Sequence, residues 1–151
     1  MKIYLATDHA GFELKEKVLA YLKEKYSEIE VEDCGAYVYD EHDDYPTFIK
    51  QAKEALSYDL QNGLDSRAVV FGGSGEGEAI VMNRQSGIRC TTYYGGTLDI
   101  VRLGREHNDA NAISFGYRFV EEEECYRAID IFLETEFEGG RHIQRVEEID
   151  N

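Results

Sequence analysis

The sequence predicts an α/β fold in which strand–helix units wind around a parallel sheet. Two patterns carry that reading: short β-branched or aromatic runs alternate with longer segments of helical period, and Gly35, Gly72 and Gly116 follow three of the runs. Scale agrees, because 151 residues that are 42% hydrophobic and 31% charged suit one domain over 1–151 with a real core.

Taken in order, Ile3–Thr7 reads as the first strand and Glu13–Tyr26 as its helix. Leu14, Val18, Leu19 and Leu22 form the apolar stripe of that helix, with Lys15, Lys17, Lys23 and Lys25 between them. Ile29–Asp33 is the second strand. Pro46–Leu60 is the second helix, opened by the chain's one proline at a first turn, where a missing N–H breaks no helical bond. Ala68–Phe71 pairs with helix Glu76–Arg84, Ile88–Tyr93 with Thr97–Glu106, and Ala112–Phe115 with Glu121–Thr135. Most of these strands are short and apolar throughout, as strands covered on both faces are. The acidic runs Asp40–Asp44 and Glu121–Glu124 read as a solvated loop and a helix's first turn, in preference to a metal site.

Charge narrows the partners. Sixteen Lys and Arg against 31 Asp and Glu leave a net charge of −15, which repels nucleic acids and anionic membrane surfaces. Cys34, Cys90 and Cys125 are odd in number and scattered, so neither a disulfide framework nor a zinc ribbon is expected. With no apolar leader and no stretch long enough to span a bilayer, the chain reads as cytoplasmic. Every lysine lies at or before Lys53 and every arginine at or after Arg67, so the forked cations belong to the C-terminal half.

In a doubly wound sheet, ligands bind beyond the carboxyl ends of the strands. After the first strand stands Thr7-Asp8-His9-Ala10-Gly11-Phe12, a carboxylate and an imidazole leading into a helix. After the third stands Gly72-Gly73-Ser74-Gly75-Glu76-Gly77-Glu78, whose backbone amides make an anion or oxyanion nest. This is neither Gly-x-Gly-x-x-Gly nor a Gly-Lys-Ser/Thr loop, so dinucleotides and nucleotide triphosphates are disfavoured. Gly116-Tyr117-Arg118 follows the fifth strand. Arg105-Glu106-His107-Asn108-Asp109-Ala110-Asn111 closes the fourth helix. If the tail is helical, Arg141 and Arg145 share one face of it at i, i+4, which suits bidentate recognition of phosphate.

On these residues the sequence resembles the family of ribose-5-phosphate isomerase B and the galactose-6-phosphate isomerase subunits. The resemblance runs nearly the whole chain: Asp8–Lys15, Asp44-Tyr45-Pro46, Gly73-Ser74-Gly75, Gly87-Ile88-Arg89, Arg105–Asn111, and Thr135–His142 with Arg145, in family order. It implies a Rossmann-like three-layer α/β/α domain with a five-stranded parallel sheet. It also implies a homodimer or homotetramer with active sites across the subunit interface, the tail from about 136 to 151 packing on a partner, and aldose–ketose isomerisation of a sugar phosphate without metal or cofactor. Carried over residue by residue, His9, Arg118, Arg141 and Arg145 hold the phosphate. Asp8, His9, Tyr45, Gly73, Gly75 and Gly77 meet the sugar. His107 assists ring opening, and Asn108 with the amides around Ser74 stabilises the enediolate. Many members carry a catalytic cysteine where this chain has Gly72; a second branch uses a glutamate at the position of Glu78, which is therefore the expected base, with Glu76 as its rival.

Burial raises a carboxylate's pKa and a helix start lowers it, and the sequence leaves that contest open for Glu78. His142 is expected to be structural, and Arg89 and Arg105 to be surface ion-pair residues. Ribose 5-phosphate and ribulose 5-phosphate are the default pair, with a six-carbon sugar phosphate or a non-catalytic sugar-phosphate binder as alternatives. A flavodoxin-like electron carrier is disfavoured by Asp8-His9 in the first loop.

Overall fold

The computed structural model describes all 151 residues. Five strands, β1 (Lys2–Thr7), β2 (Glu30–Asp33), β3 (Ser66–Gly72), β4 (Cys90–Tyr93) and β5 (Ala112–Gly116), form one parallel sheet in the order β2-β1-β3-β5-β4. The helices are α1 (Phe12–Lys25), α2 (Tyr45–Gln61), α3 (Glu76–Asn83), α4 (Asp99–Asn108), α5 (Glu122–Glu134) and α6 (Arg141–Ile149), with a 3₁₀ turn at His9–Gly11. The three central strands β1, β3 and β5 are buried almost throughout, which is why they read as unbroken apolar runs.

The strand order fixes the layers. The connections through α1 and α4 step one way across the sheet and those through α2 and α3 step the other way. A single crossover hand therefore sends α1 and α4 to one face and α2 and α3 to the opposite one. The core follows that division. Leu14, Val18 and Leu22 of α1 pack with Ile129 and Phe132 of α5 against Ile3, Leu5, Phe71 and Phe115. On the other face Ile49, Ala52 and Leu56 of α2 pack with Met82 of α3 against Tyr4, Ala6, Ala68 and Val70. Helices leave neighbouring β1 and β3 toward opposite faces, so a crevice opens where the carboxyl ends of β1, β3 and β5 meet.

The structure corrects three local expectations. Lys15 is fully buried; its ammonium bonds Asp33 and the carbonyl of Ala36 at 2.8 Å, so it anchors the chain leaving β2 and does not sit on a polar face. Arg105 is also buried and bonds the carbonyls of Ala110 and Thr135 as well as Asp109. Arg89 bonds the carbonyls of Asn108 and Asp109, satisfying acceptors at the end of α4. Neither arginine is a simple surface ion pair. The tail is helical, and α6 packs on α4 of its own chain, where the rings of His107 and His142 stack at 4.3 Å.

Candidate active site

The crevice is built from the turns after β1, β3 and β5. Asp8, 8% exposed, caps the 3₁₀ turn by accepting the Ala10 N–H at 2.9 Å, which leaves its second oxygen beside His9. After β3, Gly75 takes a left-handed conformation at φ 79°, and the space where its Cβ would stand is filled by the Phe115 backbone. The Gly75 carbonyl accepts the Ser114 hydroxyl at 2.6 Å, and the carbonyls of Gly72 and Gly73 accept the N–H groups of Tyr117 and Arg118. The glycine-rich turn is thus tied to the end of β5 by main-chain hydrogen bonds.

Glu78, in the first turn of α3, points back over that turn and is only 4% exposed. A Cβ on Gly72 would overlap both of its carboxylate oxygens, so the glycine at position 72 is the room that Glu78 occupies. Burial raises the Glu78 pKa above the ordinary carboxylate value, its own backbone N–H lowers it, and the nearby charge of Asp8 raises it further; the net shift is upward. Burial wins over the helix start. Glu76, two residues earlier, is exposed, so the two carboxylates that the sequence left as rivals have different environments.

Tyr45, the first residue of α2, lays its ring over Gly77, and a Cβ at 77 would lie 2.7 Å from the phenol oxygen. Gly77 therefore makes the space that brings Tyr45 to α3. The Arg118 guanidinium covers Gly73 in the same way, at 3.2 Å from where its Cβ would be. Ser74 is exposed, and its hydroxyl accepts the Glu76 N–H at 3.3 Å. His9 and Arg118 line one hollow with Phe12, Glu13, Tyr39 and Tyr117.

The chain brings together Asp8, His9, Tyr45, Gly73, Ser74, Gly75, Gly77, Glu78 and Arg118. It does not bring His107, Asn108, Arg141 or Arg145 to them. Helix α4 returns from the end of β4 to the start of β5, so its last residues sit at the amino edge of the sheet. Strands of five to seven residues separate the two edges by roughly 15–20 Å at ~3.3 Å per residue. At that far edge His107 and Asn108 line a second hollow with Ser86, Arg89, Ile149 and Asp150. His107 and His142 each present Nε2 to the same oxygen of Glu138 at 3.6 Å, and Arg141 and Arg145 are exposed with no protein partner.

Sequence reasoning missed Asp43. The run Asp40–Asp44 is solvent-facing at Asp40 and Glu41, but the Asp43 side chain turns inward and bonds His9. Nothing in a run of acids distinguishes one member as buried. Among donor sets, Asp8, His9 and Asp43 form one cluster and His107, Glu138 and His142 another.

The ribose/galactose isomerase family model matches residues 3–149. The ribose-5-phosphate isomerase B of Mycolicibacterium paratuberculosis is 38% identical over 97% of this chain and 88% of its own length. That of Escherichia coli is 36% identical over 98% of this chain and 93% of its own. A ribose 5-phosphate isomerase structure from Thermotoga maritima superposes with a TM-score of 0.86 at 41% identity, covering 99% of this chain and 97% of that one. The Mycoplasma genitalium ribose-5-phosphate isomerase B structure, with ribulose-5-phosphate bound, gives 0.89 at 30% identity, covering 98% and 93%.

Proposed function

The chain belongs to the ribose/galactose isomerase family, and we propose that it interconverts ribose 5-phosphate and ribulose 5-phosphate with the Glu78 carboxylate as base. The observation that carries the base assignment is a buried glutamate with an elevated pKa at the mouth of the crevice, filling the space over Gly72. Moving a proton between adjacent carbons needs one group that reaches both and whose pKa lies closer to neutrality than a free carboxylate's.

In this reading the phosphate is held by His9 and Arg118, and Asp8 and Tyr45 orient the sugar hydroxyls. His107 assists opening of the furanose. Glu78 takes the proton from C2, the electron pair moves into a C1–C2 enediolate, and the same carboxyl returns the proton to C1 while the hydroxyl proton passes from O2 to O1. The amides of the Gly73–Gly75 turn and the Asn108 side chain donate to the oxygen that gains charge. These are steps for the chain's own side chains, so the proposal includes no metal or cofactor.

Such steps act on neighbouring atoms of one sugar, yet Glu78 and His107 lie at opposite edges of one sheet. We therefore propose a homodimer, or a tetramer of such pairs, in which one copy's His107, Asn108, Arg141 and Arg145 complete the crevice of the other. The exposure of Arg141 and Arg145, cations without a partner on their own chain, supports this.

The test is ribose 5-phosphate in deuterated water with chelator-treated protein, followed by proton NMR. Ketose formation with deuterium entering the sugar is expected from wild type and not from Glu78→Gln. Equal turnover by the variant would remove Glu78 as base, and turnover confined to six-carbon sugar phosphates would correct the substrate.

A further inference from the structure

We propose that Asp43 is a positioning residue for the phosphate end of the site: its carboxylate fixes the His9 ring and supplies the counter-charge that keeps His9 cationic for a phosphorylated sugar. This rests on reading His9 as a phosphate-holding residue.

The geometry is a double grip by one oxygen. Asp43 Oδ1 accepts the backbone N–H of His9 at 2.9 Å and bonds its ring Nδ1 at 2.7 Å. A carboxylate oxygen only accepts, so Nδ1 carries a proton in this pair, and Nε2 is the ring nitrogen left to meet a ligand. Tyr39 meets the His9 ring edge-on at 6.3 Å between centroids, and Phe12 packs against Tyr39 in turn. The other oxygen, Asp43 Oδ2, is sealed from solvent and has no protein donor. His9 is thus the one charged partner of a largely buried carboxylate, and a lone buried charge is strongly disfavoured without its counter-ion.

The other charged groups facing His9 do not cancel this. Asp8 Oδ2 lies 4.0 Å from Nδ1 and also favours the cation. Glu13 on α1 lines the same hollow but is paired with Lys17 at 2.8 Å. Arg118, after β5, is the one opposing charge in the hollow and is exposed. The His9 pKa is accordingly raised, first by the hydrogen bond its ring donates to Asp43, with burial opposing and Asp8 adding to the rise. Lys15 pins the start of the loop that carries Asp43, through Asp33 and the Ala36 carbonyl.

A raised pKa keeps the proton on His9 to higher pH than an ordinary histidine holds it, so attraction for a dianionic phosphate outlasts the usual histidine range and is lost as the pH rises through the raised midpoint. Asp43→Asn retains an oxygen to accept both His9 donors but loses the charge, so it separates electrostatics from shape.

The experiment follows the His9 ring protons by NMR against pH, assigned with His9→Gln, alongside kcat and KM for ribose 5-phosphate from pH 6 to 9. In Asp43→Asn the His9 midpoint is expected to fall toward the ordinary histidine value. Between the variant and wild-type His9 midpoints, KM should rise about ten-fold, the worth of one charge-assisted hydrogen bond, while kcat at saturation changes less than two-fold. Asp43→Glu should recover part of the wild-type pH profile. An unchanged His9 midpoint and an unchanged KM–pH profile in Asp43→Asn would overturn the role of Asp43 while leaving the phosphate reading intact. Failure of that reading looks different: the His9 signal would not respond to added ribose 5-phosphate, and His9→Gln would keep its KM.

Discussion

The two ends of the sheet carry different kinds of groups in different states of readiness. At the carboxyl edge Asp8 and Glu78 are buried, Tyr45 is seated over Gly77, and the glycine turn is tied to β5 by main-chain bonds. At the amino edge Asn108, Arg141 and Arg145 are exposed on α4 and α6 and bond nothing through their side chains. The first set is organised by its own chain. In the proposed assembly the second set is ordered by its neighbour, so the acid–base chemistry and the remaining phosphate grip come from different copies. Their effects on rate and affinity should separate accordingly.

The largest expected break is at the carboxyl edge. Glu78→Gln should lower kcat roughly 10³-fold, the scale of a lost general base, with KM within a few-fold of wild type in a steady-state assay. A KM rise with kcat preserved would reassign Glu78 to binding. The comparison itself is tested by mixing inactive subunits. If each crevice takes Glu78 from one copy and His107 from another, Glu78→Gln and His107→Asn dimers exchanged at equal amounts should regain about a quarter of wild-type activity, because half the dimers are mixed and each holds one intact site. Continued inactivity after verified exchange would mean that both residues act within one chain.

At the amino edge, Arg141→Ala and Arg145→Ala should each raise KM about ten- to a hundred-fold, as loss of a charge-assisted pair implies, and leave kcat less affected. The smallest effect runs the opposite way in stability. A carboxylate whose folded pKa is raised stabilises the fold below its unfolded pKa, and that contribution is lost as pH rises through the folded value. Ionised Glu78 is therefore a burden on the fold at neutral pH. Glu78→Gln should melt higher by about 2–4 °C, what ~1 kcal/mol is worth at this size, and the difference should shrink as the pH is lowered.

Much of this architecture was legible in the sequence, because buried parallel strands are continuous apolar runs and their spacing leaves few alternatives. The central strands and the positions of Gly72–Glu78 and Asp8-His9 at strand ends followed from that pattern. The strand order did not, since pairing is decided by helix packing across the whole chain. Lys15 was misplaced because helical period assigns a lysine to the surface, whereas its ammonium meets Asp33 and a carbonyl at the end of β2. Arg105 was misjudged for the same reason: its carbonyl partners lie beyond its own helix, in Ala110 and Thr135. Asp43 was hidden by its acidic neighbours. Glu78 over Glu76 needed burial to separate them, and burial is a property of the assembled fold.

The shared space of Gly72 and Glu78 also constrains how such a protein could change its base over evolutionary time. A cysteine arriving at 72 while Glu78 remains would collide with the carboxylate already there. Under the proposed mechanism, loss of Glu78 first would leave a folded protein with nothing to carry the proton. With Glu78 as the proposed base, each single step toward a thiol at 72 passes through an impaired protein, so such an exchange requires paired substitutions or a duplicated copy free to fail.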